Sequence, residues 1–67
     1  MRFKVGDEVI VLYNPNNDSF INNHLLKIYI IKSIKEDSIY FQGEATYSWF
    51  LESELEFVTE LTKVLYK

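Results

Sequence analysis

The sequence predicts an all-β domain, a small and strongly bent barrel of five short strands, and three observations support this prediction. Five Phe, five Tyr and one Trp occur among 67 residues, and each such ring can bury about 150–250 Å². β-Branched and aromatic residues form short runs separated by turn-forming Asn, Asp, Ser and Gly. The chain has no cysteine, so its core is not supported by a disulfide or a thiolate metal site. A barrel also removes most exposed sheet edge.

The first two predicted strands flank a polar loop. "VGD" leads into "EVIVLY", whose alternation predicts a strand over residues 8–13 with apolar side chains on both faces. Five Asn in "NPNNDSFINN" predict a loop, and we expect Phe20 and Ile21 to fold back as its anchor. "LLKIYIIKSI" predicts a long strand over residues 26–34.

Three shorter strands complete the predicted barrel. "KED" predicts a tight turn into a strand over residues 38–42, and the glycine of "GEAT" predicts the next turn. "YSWF", residues 47–50, is the fourth predicted strand, "ESE" is a short turn or 3₁₀ segment, and "LEFV", residues 55–58, is the fifth strand. Residues 1–58 therefore form the predicted barrel.

Side-chain alternation predicts which residues fill the barrel at its fourth and fifth strands. We expect Trp49, Leu55 and Phe57 to point inward and to form the plug of the core. Tyr47 then also points inward, and Phe50 points outward.

The C-terminal extension, residues 59–67, fits either a short helix or an extra strand. Leu61, Val64 and Leu65 have the spacing of one or two helical turns. Alternation also places Leu61, Lys63 and Leu65 on one face of a strand. A helix of this length needs a surface on which to pack.

Ile10 and Leu12, predicted to point outward from the first strand, are the expected surface for this extension. Together with Phe50 and the extension, they make more exposed hydrophobic surface than a small monomer usually carries. The extension therefore packs on its own barrel or on a partner, and a homodimer through Ile10, Leu12 and residues 59–67 is compatible with the sequence.

Three segments of the chain resemble small SH3-like barrel proteins of phages and mobile elements of Gram-positive bacteria. "FKVGDEVIVL", "KIYIIKSI" and "WFLESELEFV" occur in the order and at roughly the spacing of that largely uncharacterised group, and the resemblance covers residues 3–58. It implies an SH3-like barrel and a phage-type origin. Leu26 stands where the group usually has Gly, Ile30 replaces its usual Thr, and Phe57 replaces a frequent Pro.

Catalytic and metal-binding patterns are weak, so the sequence predicts a protein that is not an enzyme and needs no cofactor or metal. The single histidine, His24, lies in the Asn-rich loop and is expected to be solvated. Asn14, Asn16 and Asp18 have the spacing of the first calcium ligands of an EF-hand loop. The glutamate that would complete such a loop is replaced by Leu25.

The location expected from the sequence is the cytoplasm of a bacterial host cell. No apolar run approaches the roughly 18–20 residues that span a bilayer. The opening "MRFKVGDEV" becomes charged too early for a signal peptide.

The charge distribution favours protein binding. The formal net charge is −3, and the segment from Glu44 to Glu60 has five carboxylates and no Lys or Arg. An aromatic anchor with a charged rim is typical of protein interfaces. We therefore predict a protein-binding accessory that inhibits a host nucleic-acid-handling or defence factor, in the manner of an anti-CRISPR protein, by mimicking DNA phosphates. The candidate residues are Phe50, Glu52, Glu54, Glu56 and Glu60.

The alternative prediction is a nucleic-acid-binding barrel, because small barrels often stack bases on exposed aromatic rings beside basic side chains. The acidic balance of the chain, with a pI near 4.9, weighs against this alternative. Lysines can also protect a hydrophobic strand from pairing with another chain. The candidate residues are Lys27, Tyr29, Lys32, Lys35 and Tyr40.

Overall fold

A computed structural model describes residues 1–45 and 48–66 of the chain. These residues form one five-stranded antiparallel sheet, two short helices and a 3₁₀ turn. The strands are β1 (Glu8–Val11), β2 (Ile28–Lys35), β3 (Ser38–Phe41), β4 (Trp49–Phe50) and β5 (Leu55–Phe57). The helices are α1 (Ser19–Asn22) and α2 (Glu60–Tyr66), and the 3₁₀ turn is Glu52–Glu54.

The strand order is β4-β3-β2-β1-β5, with every neighbouring pair antiparallel. Val9 of β1 lies between Tyr29 of β2 and Phe57 of β5. Within the described residues β4 and β5 do not pair with each other, so the sheet is open there. The five predicted strands are present, although the predicted start of the fourth, Tyr47, lies outside the described residues.

The turn before β1 explains the "VGD" signal. Gly6 has a φ of 94°, a conformation that glycine adopts without the steric cost of a Cβ. Its amide donates to the Ile31 carbonyl oxygen at 3.0 Å. The Asp7 carboxylate accepts from the Lys4 amide at 3.0 Å, so the segment before β1 is fixed against β2.

A β-bulge in β2 changes which of its side chains face the core. Ile31 lies opposite Phe41, and Ile34 lies opposite Ile39, with a register shift between Ile31 and Ser33. A bulge places two residues against one on the neighbouring strand. Ile31 and Ile34 therefore both face the core, although they are three positions apart in the sequence.

The core contains residues from every strand, from the N-terminal segment and from the β1–β2 loop. Three rings form a stack that reaches from the boundary of the core into it: the half-buried Tyr29 lies 4.6 Å from Phe41, and Phe41 lies 4.5 Å from Phe50. Ile21 of the loop is buried and Phe20 packs against the cluster, as expected for the anchor of that loop. The buried members are Phe3, Val9, Val11, Ile21, Ile31, Ile39, Phe41, Phe50 and Leu55.

The C-terminal extension forms helix α2, one of the two alternatives expected from the sequence. Ile10, expected to point outward and to be covered by the extension, is fully buried, and its register partners on the neighbouring strands are Ile28 and Glu56. The predicted stripe of Leu61, Val64 and Leu65 is instead exposed. This stripe therefore does not cover the barrel, and packing of the extension on a partner stays a prediction.

One ion pair joins α2 to β1. The ammonium group of Lys63 lies 3.8 Å from a carboxylate oxygen of Glu8, and both side chains are almost half exposed. Leu12, the second predicted contact of the extension, is half-buried.

The described residues contain no helix with the length and hydrophobicity needed to cross a membrane.

Candidate functional site: a groove beside Trp49

The orientation of β4 decides which aromatic ring is available at the surface. Phe50 lies opposite the buried Ile39, and Trp49 lies opposite Tyr40. Phe50 is therefore fully buried and stacks on Phe41, whereas 47% of the Trp49 surface is exposed. The prediction of an inward Trp49 and an outward Phe50 was wrong, because alternation sets only the relative orientation of neighbours.

The orientation predicted for β5 is confirmed. Leu55 and Phe57 lie opposite Val11 and Val9 of β1, and Leu55 is fully buried. Phe57 is at the edge of the sheet, where its ring lies 4.6 Å from that of Phe3 and 37% of its surface remains exposed. Phe57 therefore contributes to the rim of the core and not to its centre.

A groove of about 390 Å³ lies beside Trp49. One wall comes from the β1–β2 loop and α1, and the other comes from β4 and the 3₁₀ turn. Its volume is at the lower end of the range for ligand pockets in proteins. The lining residues are Asn16, Asp18, Phe20, Ile21, Trp49, Leu51 and Glu54.

The two carboxylates of this groove also stabilise the walls. Asp18 caps α1, with one carboxylate oxygen accepting from the Phe20 amide at 2.8 Å. Glu54 accepts from the Leu51 amide at 2.8 Å and so closes the 3₁₀ turn. Of the residues that the structure describes, none that lines the groove is basic.

The candidates for an acidic protein-binding surface are not brought together as an open patch. Phe50 is buried in the core and Glu54 is 5% exposed. Arg2 contacts both Glu52 and Glu56, at 3.6 Å and 2.9 Å. Glu60 is exposed at the first turn of α2.

Arg2 was missed in the sequence because it is 50 residues or more away from these acids. Its guanidinium group donates to the Leu55 carbonyl oxygen at 2.9 Å and lies 4.6 Å from the centre of the Phe3 ring. No local pattern predicts a contact over such a separation. The five carboxylates between Glu44 and Glu60 therefore suggested more unpaired negative charge than the structure shows, because Arg2 pairs with Glu52 and Glu56.

Three of the five candidates for nucleic-acid binding lie together on the outer face of β2 and β3. Lys32, Lys35 and Tyr40, together with Ser33, are among the residues that line an open cavity of about 460 Å³. Neither lysine forms an ion pair within the described part of the chain.

The other two candidates are placed elsewhere. Lys27 is exposed before the start of β2. Tyr29 faces the core and stacks on Phe41. Burial raises the pKa of Tyr29 to about 12, and the charge of Glu44 and a hydrogen bond to it add to that rise.

His24 is part of the aromatic core boundary and not a solvated loop residue as expected. Its ring lies 4.7 Å from Phe20 and 5.2 Å from Phe50. Its Nδ1 donates to the Phe20 carbonyl oxygen at 2.8 Å, and its Nε2 lies 3.4 Å from an oxygen of Glu44. His24 thus links the β1–β2 loop to the turn after β3.

The polar residues with calcium-like spacing hold the loop. Asn14 accepts from the Asp18 amide at 2.9 Å and donates to the Asn22 side chain at 2.7 Å. Among residues 1–45 and 48–66, no group of three or more His, Asp or Glu side chains is arranged to hold a metal ion.

No family model, no curated protein and no solved structure matches the chain.

Proposed function

We propose that this chain is a non-enzymatic protein-binding module whose groove beside Trp49 holds an apolar side chain of its partner. The observation that supports this proposal most is the half-exposed indole ring of Trp49 at the mouth of a partly apolar groove. Trp is among the residues that contribute most to binding energy at protein interfaces. Phe20 and Leu51 extend the apolar wall on either side.

The groove has features that suit a protein partner. Its walls are held by backbone and side-chain hydrogen bonds at Asp18 and Glu54, so little ordering is needed when a partner binds, and a preformed site loses less entropy. An exposed aromatic ring beside a cavity offers a place for a single anchoring side chain.

Selection of peptides from a random library displayed on phage tests this function directly. We expect selected peptides to shift the fluorescence of Trp49, which is the only tryptophan in the chain. Their affinity should fall about tenfold or more for Trp49→Ala, which removes an interface aromatic ring. Val64→Ala is the matched control, since Val64 is exposed on α2, outside the groove.

Selected peptides that bind Trp49→Ala as tightly as the wild type would reject the groove as the binding site. Thermal unfolding of each variant separates a loss of binding from a loss of fold.

Based on the resemblance, we also propose a phage-type inhibitory role for this chain. In this role it inhibits a host nucleic-acid-handling or defence factor. The acidic segment gives it limited support, because Arg2 contacts Glu52 and Glu56 and because Glu54 is buried. Glu52→Gln with Glu56→Gln tests the contribution of phosphate mimicry. If a selected protein partner binds this variant as tightly as the wild type, the role of those acids is rejected.

Nucleic-acid binding is the second candidate function, and the register of the outer face favours it. Ser33, Tyr40 and Trp49 form one row across β2, β3 and β4. Lys32 and Lys35 lie at the β2 end of this row. Aromatic rings on a sheet with nearby lysines suit the stacking of single-stranded bases.

Filter binding of single-stranded DNA and RNA at about 50 mM salt tests this candidate, because phosphate contacts are strong at low salt. We expect retention that falls on raising the salt and in the Lys32→Gln, Lys35→Gln variant. Absence of retention for both nucleic acids at low salt would reject the second candidate.

For the fold we propose an SH3-like barrel, in which the open sheet bends towards closure. Two observations support it besides the three sequence segments. The bulge in β2 allows a single strand to serve two parts of the sheet. Leu26, at the position where the similar proteins usually have Gly, has a φ of 63°, a conformation that glycine adopts readily.

A further inference from the structure

Glu54 is a buried carboxylate without a cationic partner among the described residues. Only 5% of its surface is exposed, and it forms no salt bridge there. One of its oxygens accepts from the Leu51 amide at 2.8 Å. Burial of a carboxylate is unfavourable unless a cation or further hydrogen bonds offset the loss of water.

The second oxygen of Glu54 is not used in the bond that closes the 3₁₀ turn. It forms no hydrogen bond to a described residue, whereas no buried side-chain polar atom in the described part of the chain lacks a hydrogen-bond partner. Glu54 is one of the residues that line the groove, and this second oxygen is separate from the atom that accepts from Leu51. An incoming cation can contact this atom without disturbing the bond to Leu51.

Asp18 gives the groove a second negative charge. Its Oδ1 is used in the cap of α1, and its Oδ2 has no partner within the described residues. Arg2, the single arginine of the chain, is already bound to Glu52, Glu56 and the Leu55 carbonyl oxygen. The groove therefore combines an apolar wall at Trp49 with carboxylate oxygens that lack a cation.

We infer that the occupant of the groove is an extended segment of another protein that carries Lys or Arg two positions from an apolar residue. This inference rests on the proposed function. Alternate side chains of an extended segment point to the same side, so an apolar residue and a cation at that spacing enter the groove together. The apolar side chain contacts Trp49, and the cation binds Glu54 and Asp18.

Three short synthetic peptides that differ at one position test the inference. Each has Leu followed two positions later by Arg, Gln or Glu, and binding is measured from Trp49 fluorescence at low salt. We expect the Arg peptide to bind about tenfold more tightly than the Gln peptide, because charge-assisted hydrogen bonds are the stronger ones. The Glu peptide should bind most weakly, and added salt should narrow all three differences.

Glu54→Gln is the informative variant, because the amide oxygen of Gln can still accept from the Leu51 amide. It should bind the Gln peptide as the wild type does and should lose most of its preference for Arg. Asp18→Asn, which keeps the cap of α1, gives a second and independent variant if Glu54→Gln does not fold. A preference for Arg that persists in both variants would overturn the inference.

Other outcomes are equally decisive. Equal binding of the Arg and Gln peptides to the wild type would overturn the charge preference and leave the groove as a site for apolar side chains. Failure of all three peptides to bind would also overturn the inference. The proposed function is rejected only if library-selected peptides also bind the Trp49→Ala variant as tightly as they bind the wild type.

Discussion

The β1–β2 loop, residues 12–27, and helix α2 differ in both composition and packing. The loop contains five Asn, yet it contributes Ile21 to the buried core. Its polar side chains bond within the loop: Asn14 accepts from the Asp18 amide and donates to the Asp18 carbonyl oxygen, each at 2.9 Å. The polar β1–β2 loop is therefore held by its own hydrogen bonds and by the burial of Ile21.

Helix α2 has the opposite character. Leu61, Val64 and Leu65 give it an apolar stripe, and all three are exposed. Its side-chain ion pair to the sheet, Lys63 with Glu8 at 3.8 Å, joins two almost half-exposed groups, and such surface pairs contribute little to stability.

The comparison indicates that the packing of a segment depends more on how the segment is joined to the sheet than on its local hydrophobicity. The loop is joined to strands at both ends, and Leu26 donates to the Val11 carbonyl oxygen at 2.7 Å. The Leu12 and Tyr13 amides both donate to the Glu54 carbonyl oxygen. Helix α2 follows β5, and its side-chain ion pair to the described part of the sheet is the one between Lys63 and Glu8.

The largest effect should come from Ile21→Ala in the loop. Removing a buried isoleucine side chain costs about 2–4 kcal/mol, which is most of the stability of a domain this small. The matched control is Leu61→Ala on α2, where we expect a change within about 0.5 kcal/mol. Urea unfolding at equal protein concentration measures both.

If Ile21→Ala leaves too little folded protein to measure, Ile21→Val should cost about 0.5–1.5 kcal/mol. Equal effects at the loop and at α2 would show that the loop is not anchored through its apolar side chain.

Asp18→Ala tests how much the polar groups of the same loop contribute to stability. It removes the cap of α1, so we expect a loss of about 1 kcal/mol. Asp18→Asn keeps an oxygen that accepts from the Phe20 amide and should remain close to the wild type. A thermal unfolding series distinguishes them, and an unchanged midpoint for Asp18→Ala would argue against the cap as a source of stability.

Leu26→Gly should stabilise the chain slightly. A left-handed conformation costs an L-residue about 1–2 kcal/mol, and Leu26 is 46% exposed at a φ of 63°. The greater chain entropy of glycine takes back part of the gain, so a net gain of about 0.5 kcal/mol is expected. Leu26→Ala keeps the strain and serves as the control, and it should show no gain in urea unfolding.

Replacing the exposed stripe of α2 by Leu61→Ser, Val64→Ser and Leu65→Ser should have the smallest effect on the unfolding of the monomer, within about 0.5 kcal/mol. Light scattering on the same variant tests the predicted homodimer through the extension. A lower mass than the wild type would indicate that the stripe joins two copies, whereas a monomeric wild type would reject that dimer.

The strands and the loop anchor could be predicted because their signals are local. The run "EVIVLY", the clustered Asn residues and the buried Ile21 depend on neighbours within a few positions. For the same reason β5 was assigned correctly, with Leu55 and Phe57 facing β1 on its inner side.

The groove could not be predicted, because its walls come from segments far apart in the chain. Asp18 and Glu54 line it together with Trp49, yet each appears in the sequence as part of a separate turn or strand. The five clustered acids suggested an open patch, and only the position of Arg2 shows that Glu52 and Glu56 are paired.

The order of apolar and polar residues by itself determined five short strands and a polar loop with an apolar anchor, since hydrogen bonding and alternation act between near neighbours. It left the extension open between a helix and a strand, and the structure shows the helix. Only the tertiary structure decided that Phe50 enters the core and that Trp49 stays at the surface. Alternation permits either choice, and the stack of Tyr29, Phe41 and Phe50 selects one of them.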